Sequence, residues 1–170
     1  MTFLIKKLAL FLKPDYMFDR VEDISTDILS SDGIKGMIID LDNTLIPWKE
    51  SKLPQSSIDW VQKMQLHGLK LFILSNTVNV KRLKNISKTL NVDYLHPAAK
   101  PNRASFTKAS NILQLASQEI AVVGDQLFTD ILGGKKSNMK TILIKPISNK
   151  EFIGTKIISR NFEKILKKYM

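Results

Sequence analysis

The chain of 170 residues has no cysteine and only two histidines. Without cysteine there are no disulfide bonds, no cysteine-ligated zinc and no cysteine nucleophile for phosphate chemistry. The histidines, His67 and His96, are far apart in sequence, so no catalytic triad can be assigned from them. We interpret both as structural residues. The lack of cysteine also fits a reducing compartment, and we expect a cytoplasmic protein.

Acidic side chains are outnumbered by basic ones, 16 against 26, which gives a net charge of +10 at pH 7. Such a surplus favours an anionic partner, namely a nucleic acid, an anionic membrane or an anionic substrate. The aromatic and basic pattern of a single-strand binder is missing, so a nucleic-acid partner is not expected. A membrane surface and an anionic substrate remain compatible with each other.

No apolar stretch reaches the about 20 residues that a membrane-spanning helix needs. Five short apolar runs alternate instead with segments of helical periodicity. These runs are Gly36–Leu41, Leu69–Leu74, Tyr94–Leu95, Ile120–Val123 and Thr141–Ile144. The alternation predicts an α/β fold, a three-layer Rossmann-like parallel sheet with helices on both faces, in one domain of residues 1–170. Ligands of such sheets bind beyond the carboxyl ends of the strands.

The first apolar run ends in two aspartates one residue apart, Asp40 and Asp42, followed by the turn-forming pair Asn43 and Thr44. Alternation along a strand would send the two carboxylates to opposite faces. We therefore expect the backbone to bend at Leu41, so that both reach one substrate. An acidic strand end is costly without a cation, and Mg²⁺ is the simplest candidate. We interpret Thr44 as a structural turn residue.

Three further elements follow in order along the chain. Ser75 and Asn76 come directly after the second apolar run, and Lys100 lies in the string AAKP. The run that ends at Val123 leads into GDQLFTD, which contains Asp125 and Asp130. Since three of the four elements end apolar strands, they are expected at one edge of the sheet.

In this order the four elements resemble the signatures of the haloacid-dehalogenase (HAD) superfamily. The form GDQxxTD is similar to subfamily IIIA. The basic apolar start, the string DLDNTLxxW and GDQLFTD together resemble the YqeG-type phosphatidylglycerophosphate phosphatases. The resemblance covers residues 33–145. It implies a HAD-type fold and hydrolysis of a phosphomonoester through an aspartyl-phosphate, with phosphatidylglycerophosphate as substrate and phosphatidylglycerol as product.

The resemblance also implies a role for each acidic residue of the first signature. Asp40 would be the nucleophile that forms the aspartyl-phosphate. Asp42 would protonate the leaving group and then activate water. Mg²⁺ would be bound by the Asp40 carboxylate, the Asp42 backbone carbonyl and the Asp125 carboxylate.

The remaining signatures are expected to surround the phosphoryl group. Ser75 would donate to a phosphoryl oxygen, with the Asn76 backbone beside it. Lys100 would neutralise charge on the phosphoryl group and on Asp40. Asp130 would hold Lys100 or a metal-bound water.

The spacing of the signatures leaves little room for a cap domain. About 32 residues separate Asp42 from Ser75, and a flap at Ile46–Leu53 with a helix at Ile58–His67 fills them. We therefore expect a capless, open site, which suits a phosphate on a large carrier such as an anionic lipid headgroup. Two alternatives stay open. One is a soluble subfamily IIIA phosphatase for a sugar or nucleotide phosphate. The other is a basic RNA- or ribosome-associated binding module, against which the intact site residues argue.

Both termini are basic and apolar. Residues 1–13 form an apolar segment with three lysines that ends before Pro14. It is either an interfacial helix in peripheral contact with the inner face of a membrane or a helix packed on the domain's own sheet. The tail Arg160–Met170 is likewise either a basic amphipathic helix or a solvated terminal helix.

Overall fold

A computed structural model of the chain describes residues 2–148. Within these residues the chain forms a six-stranded sheet. The strands are β1 (Tyr16–Phe18), β2 (Gly36–Ile39), β3 (Lys70–Leu74), β4 (Asp93–Leu95), β5 (Ile120–Gly124) and β6 (Lys140–Ile144). Their order is β1-β6-β5-β2-β3-β4, and every neighbouring pair is parallel. After β2, the strands β3 and β4 are added on one side of β2, and β5 and β6 are added on its other side. The strand order therefore reverses at β2, and parallel sheets have a ligand-binding crevice at such a point.

Residues 2–148 contain six α-helices, one before β1 and five between the strands. They are α1 (Thr2–Phe11), α2 (Thr26–Ser31), α3 (Gln55–Leu66), α4 (Val80–Leu90), α5 (Arg103–Leu113) and α6 (Leu132–Lys136). A π-helical turn, Leu127–Ile131, runs directly into α6. The longer helices have one apolar face each, as the periodicity of the sequence predicts.

The two faces of the sheet carry separate cores. Met37 and Ile39 of β2 pack in the core that also holds α3 and α4, whereas Ile38 packs in the core beneath α5. Successive side chains of a strand point to opposite faces, so one short apolar strand serves both layers. All four residues of β2 are buried for this reason. The predicted three-layer α/β fold is confirmed.

Close approach of α5 and α6 depends on a glycine. A Cβ atom on Gly133 would lie 2.2 Å from the ring of Phe106. Phe106 is fully buried in the core under α5. The missing side chain therefore lets α6 lie against α5 and fixes the position of the π-helical turn that precedes it.

The structure departs furthest from the prediction at one strand and two boundaries. The edge strand β1 was not predicted, because its three residues are too few for a periodic signal; it pairs with β6, Tyr16 opposite Ile142. The helix predicted at Ile58–His67 begins earlier, at Gln55. The first apolar run leaves the sheet at Ile39, two residues before Leu41.

The N-terminal helix packs on the domain, against the π-helical turn and α6 rather than on the sheet itself. Ala9 and Leu12 are fully buried and pack with Phe128 and Leu132. The opposite face of α1 exposes apolar and basic side chains to solvent, namely Phe3, Lys6, Lys7 and Leu10. No helix within residues 2–148 is long and apolar enough to cross a membrane. The predicted helix Arg160–Met170 lies outside the described residues.

Candidate active site

A cleft of about 640 Å³ opens beyond the carboxyl ends of β2, β3 and β5. Five of the predicted site residues line it: Asp40, Asp42, Ser75, Asn76 and Lys100. The other two, Asp125 and Asp130, are each 1% exposed and lie next to these residues. The structure thus brings together side chains from four separate parts of the sequence.

Asp40 lies at the bottom of the cleft, in a chain of buried charges. Its Oδ1 atom accepts a hydrogen bond from Lys100 Nζ at 2.5 Å, and Lys100 Nζ also donates to Asp130 Oδ1 at 2.7 Å. The Asp40 backbone N–H donates to Val123 of β5 at 2.9 Å, which fixes where the carboxylate emerges from the sheet. One ammonium group therefore holds two carboxylates that would otherwise repel each other.

Burial dominates the ionisation of this group. Loss of solvent raises the pKa of Asp40 to about 7; attraction to Lys100 opposes this shift and repulsion from Asp130 adds to it. For Lys100, burial acts to lower the pKa, but the charges of Asp130 and Asp40 outweigh it and raise the pKa above the ordinary value. Lys100 is therefore a permanent cation. With a pKa of about 7, Asp40 is only partly ionised at neutral pH. A further cation at the site would favour its ionised form.

Asp42 reaches the same cleft because the chain turns sharply after Asp40. The Leu41 carbonyl accepts from the N–H groups of Leu45 at 3.0 Å and Ile46 at 3.2 Å. Asn43 adopts a left-handed conformation with φ 63°, which asparagine tolerates better than most residues. Leu41 itself is fully buried in the core. The bend expected at Leu41 is present, and both carboxylates line one cleft.

The loop after β3 is hydrogen-bonded to the loop that contains Lys100. The Asn76 side-chain carbonyl accepts from the Lys100 backbone N–H at 3.1 Å, and its amide donates to the Lys100 carbonyl at 3.3 Å. Ser75 is 1% exposed, and its hydroxyl accepts from the Thr77 N–H at 3.1 Å. The side chain of Asn76 therefore fixes the position of Lys100. The sequence predicted a role only for the Asn76 backbone, beside the phosphoryl group.

Gly124 and Asp130 explain the spacing of the last signature. A Cβ atom on Gly124 would lie 2.3 Å from the Asp130 carboxyl carbon, so only glycine permits this close approach. Asp130 Oδ2 also accepts from the Gln126 backbone N–H at 3.1 Å. The π-helical turn thereby folds Asp130 back under the end of β5, beside Lys100.

Carboxylates at the base of the cleft fit a hard divalent cation. One oxygen from each of Asp40, Asp125 and Asp130 lies within 4.8 Å of the other two. Oxygen donors of this kind are the ligands that Mg²⁺ prefers. The sequence predicted Asp40 and Asp125 with the Asp42 backbone carbonyl; the third member of the carboxylate cluster is Asp130, which Lys100 also engages.

Two residues at the site were missed or incompletely interpreted. Arg82 of α4 lines the cleft, and its Nη1 atom donates to Asp42 Oδ1 at 2.7 Å. The one signal in the sequence was a cation in the first turn of a helix, where the helix macrodipole disfavours it. Thr44 is more than a turn residue, because its hydroxyl donates to Asp40 Oδ2 at 3.3 Å.

One edge of the Rossmann-like parallel sheet carries an aspartate pair after the first central strand, a serine after the next, a buried lysine and a second acidic pair. This fold and this arrangement define a phosphatase of the HAD type. Within that class the chain belongs to the family described as mitochondrial PGP phosphatase, whose family model matches residues 2–148.

Individual relatives agree with this assignment. The chain is 35% identical over 144 residues to a probable phosphatase, YqeG, of Bacillus subtilis, covering 85% of this chain and 83% of the relative. It is 25% identical over 151 residues to phosphatidylglycerophosphate phosphatase 1, chloroplastic/mitochondrial, of Arabidopsis thaliana, covering 83% of this chain and 43% of that protein. A haloacid dehalogenase-like hydrolase from Streptococcus pneumoniae has the same fold, with a TM-score of 0.50 at 14% identity over 66% of this chain and 85% of that one.

Proposed function

We propose that the protein is a Mg²⁺-dependent phosphomonoester hydrolase that works through an aspartyl-phosphate on Asp40. The observation that carries the proposal is the 2.5 Å contact of Asp40 Oδ1 with Lys100 at the base of an open cleft. Phosphoryl transfer needs an in-line nucleophile and positive charge on the phosphoryl oxygens. Asp40 and Lys100 supply these two requirements side by side.

The proposed reaction has two half-reactions. The second carboxylate oxygen of Asp40 attacks phosphorus, the bond from phosphorus to the ester oxygen breaks, and Asp42 gives its proton to that oxygen. Water then attacks the phosphoryl group, Asp42 takes back a proton, and inorganic phosphate leaves with Asp40 restored. In this proposal the Ser75 hydroxyl, which lines the cleft, donates to a phosphoryl oxygen.

Mg²⁺ would be held by Asp40, Asp125 and the Asp42 backbone carbonyl, with Asp130 beside them. When bound, it neutralises charge on the phosphoryl oxygens and favours the ionised form of Asp40. Lys100, shared between Asp40 and Asp130, keeps the two carboxylates in place around that position.

We propose phosphatidylglycerophosphate as the substrate and phosphatidylglycerol as the product. Two named relatives are a probable phosphatase and a phosphatidylglycerophosphate phosphatase. The flap, α3 and β3 are the elements between Asp42 and Ser75, and α4 and β4 follow before Lys100. The proposed site is therefore capless, and a phosphate carried on a large lipid has a direct approach to it.

The exposed face of α1 supports contact with an anionic membrane. Phe3 is 78% exposed and Leu10 is 73% exposed, and Lys6 and Lys7 lie exposed between them. The buried face of the same helix packs on Phe128, in the π-helical turn that also supplies Thr129 to the cleft, next to Gln126. A membrane bound at α1 would therefore lie close to the opening of the site.

Phosphate release across several substrates tests the proposal. Wild-type protein with Mg²⁺ should hydrolyse phosphatidylglycerophosphate in vesicles faster than glucose 6-phosphate or a nucleoside monophosphate, and Asp40→Asn should hydrolyse none of them. Brisk turnover of the sugar or nucleotide ester with none of the lipid would instead support a soluble subfamily IIIA phosphatase. Salt-sensitive RNA binding without turnover of any ester would support a binding module.

A further inference from the structure

Arg82 is a buried cation in the wall of the cleft. It is 5% exposed and lies in the first turn of α4, whose macrodipole disfavours a positive charge. Burying a guanidinium is costly unless carboxylates and hydrogen bonds compensate it. A residue that breaks two local rules is commonly found at a functional site.

The contacts of Arg82 join three parts of the cleft. Its Nη1 atom donates to Asp42 Oδ1 at 2.7 Å, and its Nε atom donates to the backbone carbonyl of Glu50 in the flap. Its own backbone N–H is capped by the Asn79 side chain at 2.9 Å. The third nitrogen, Nη2, has no hydrogen-bond partner among the described residues. Two of the guanidinium nitrogens thus bind Asp42 and the flap, and this orientation leaves the third nitrogen without a hydrogen bond to the described residues.

We propose that Arg82 is the positioning residue for proton transfer by Asp42, an inference that rests on the proposed phosphatase chemistry. Arginine is always protonated in proteins, so Nη1 donates to Oδ1 whether Asp42 is ionised or not. The transferable proton therefore belongs on Oδ2. Within residues 2–148 no group donates a hydrogen bond to that oxygen, which leaves it available to the cleft.

Each half-reaction then uses the same oxygen. Oδ2–H gives its proton to the ester oxygen as the bond from Asp40 to phosphorus forms and the bond from the ester oxygen to phosphorus breaks. Oδ2 takes a proton from water as the new bond from water oxygen to phosphorus forms and the bond from Asp40 to phosphorus breaks. The Glu50 contact keeps the guanidinium plane fixed throughout, and a lysine lacks the planar fork to make both contacts.

The test compares two leaving groups by kcat/KM, which reports only the steps through leaving-group release. The p-nitrophenolate ion leaves without a proton, whereas the alkoxide of an aliphatic ester needs one. Arg82→Met should lower kcat/KM for phosphatidylglycerophosphate, or for the aliphatic ester that wild type hydrolyses fastest, at least about 10-fold more than for p-nitrophenyl phosphate. Asp42→Asn should show the same selectivity, and Arg82→Lys a weaker form of it.

A double variant and a matched control separate this role from a structural one. In Asp42→Asn protein, adding Arg82→Met should cost little more, because both changes remove one function. Lys84→Met, at an exposed position of α4, removes the same charge and should leave both substrates unaffected. If Arg82→Met is recovered unfolded, Arg82→Lys carries the same comparison.

Two results would overturn the inference. Equal losses on both substrates, or additive losses in the double variant, would show that Arg82 only holds the flap and α4 in place. Absence of leaving-group selectivity in Asp42→Asn itself would overturn the proton-donor role of Asp42, and that failure belongs to the proposed function.

Discussion

The cations of the cleft are buried, whereas the cations of α1 are exposed to solvent. The side chains of Lys100 and Arg82 are each 4% exposed and contact carboxylates at 2.5–2.7 Å. Lys6 and Lys7 are exposed, next to apolar side chains such as Leu10 that are exposed as well. Buried pairs of this kind contribute geometry more than stability, whereas exposed lysines beside apolar side chains suit an anionic lipid surface. In the proposed function the cleft therefore serves the chemistry and the outer face of α1 serves binding to the membrane.

This division has an experimental signature. Changes to Asp40 or to the cations beside it should affect every phosphate ester, because each ester depends on them in the proposed reaction. Changes on the outer face of α1 should affect only substrates presented in a membrane. The buried face of α1 complicates a simple truncation, since Ala9 and Leu12 pack on Phe128 beside the site. Point substitutions on the exposed face are therefore the cleaner test.

Removal of the metal should have the largest effect. A chelator should abolish hydrolysis of soluble and membrane-bound esters alike, and added Mg²⁺ should restore both, because clustered carboxylates require a hard cation. Asp125→Asn should raise the Mg²⁺ concentration needed for half-maximal rate at least about 10-fold, and Asp130→Asn less. Undiminished turnover in excess chelator would contradict the site.

Substitutions on α1 should give a smaller, selective effect. Removing two lysines, as in Lys6→Gln with Lys7→Gln, should weaken binding to anionic vesicles by about 2 kcal/mol, roughly 30-fold. Hydrolysis of p-nitrophenyl phosphate should not change, and high salt should reproduce part of the loss on vesicles.

A variant of another helix with an exposed lysine and an exposed leucine provides the control. Lys63→Gln with Leu66→Ser alters α3, where Leu66 is 86% exposed, and should leave vesicle binding intact. Equal losses for the α1 and α3 variants, or an equal loss on vesicles and on soluble ester, would mean that α1 is only part of the fold.

The smallest effect is expected at Asp15, which anchors the chain after α1. Burial alone would raise the pKa of Asp15, but hydrogen bonds from Thr141 and Lys135 outweigh it and hold the pKa below its ordinary value of 3.8. The folded state therefore favours the ionised form. The resulting stabilisation is complete above the ordinary pKa and is lost as pH falls through the lowered one.

Chemical denaturation across pH measures this contribution. Asp15→Asn should lower the free energy of unfolding by about 1 kcal/mol at neutral pH, and the difference from wild type should shrink at pH values below 3.8. Asp19→Asn, at a more exposed ion pair with Lys145, should change stability by less than about 0.5 kcal/mol. A difference at Asp15 that grows on acidification would contradict the assigned contacts.

The sequence predicted the central strands and the acidic strand ends because both depend on local patterns. Asp40 follows a continuous apolar run, and such runs identify buried parallel strands. The edge strand β1 was missed because its pairing with β6 is a long-range contact without local periodicity. Arg82 was missed because its partner, Asp42, lies 40 positions away. The contact of Asn76 with the Lys100 backbone is likewise set by the tertiary fold.

The most direct test of the account is to capture the covalent intermediate. Protein mixed with Mg²⁺ and phosphatidylglycerophosphate, quenched in acid during the first turnover and digested, should carry one phosphoryl group, on the peptide that contains Asp40. Asp40→Asn should carry none and should lose at least about 10³-fold in turnover. Steady turnover with no phosphoryl group on Asp40 at any quench time, or with one on another residue, would contradict the proposed mechanism.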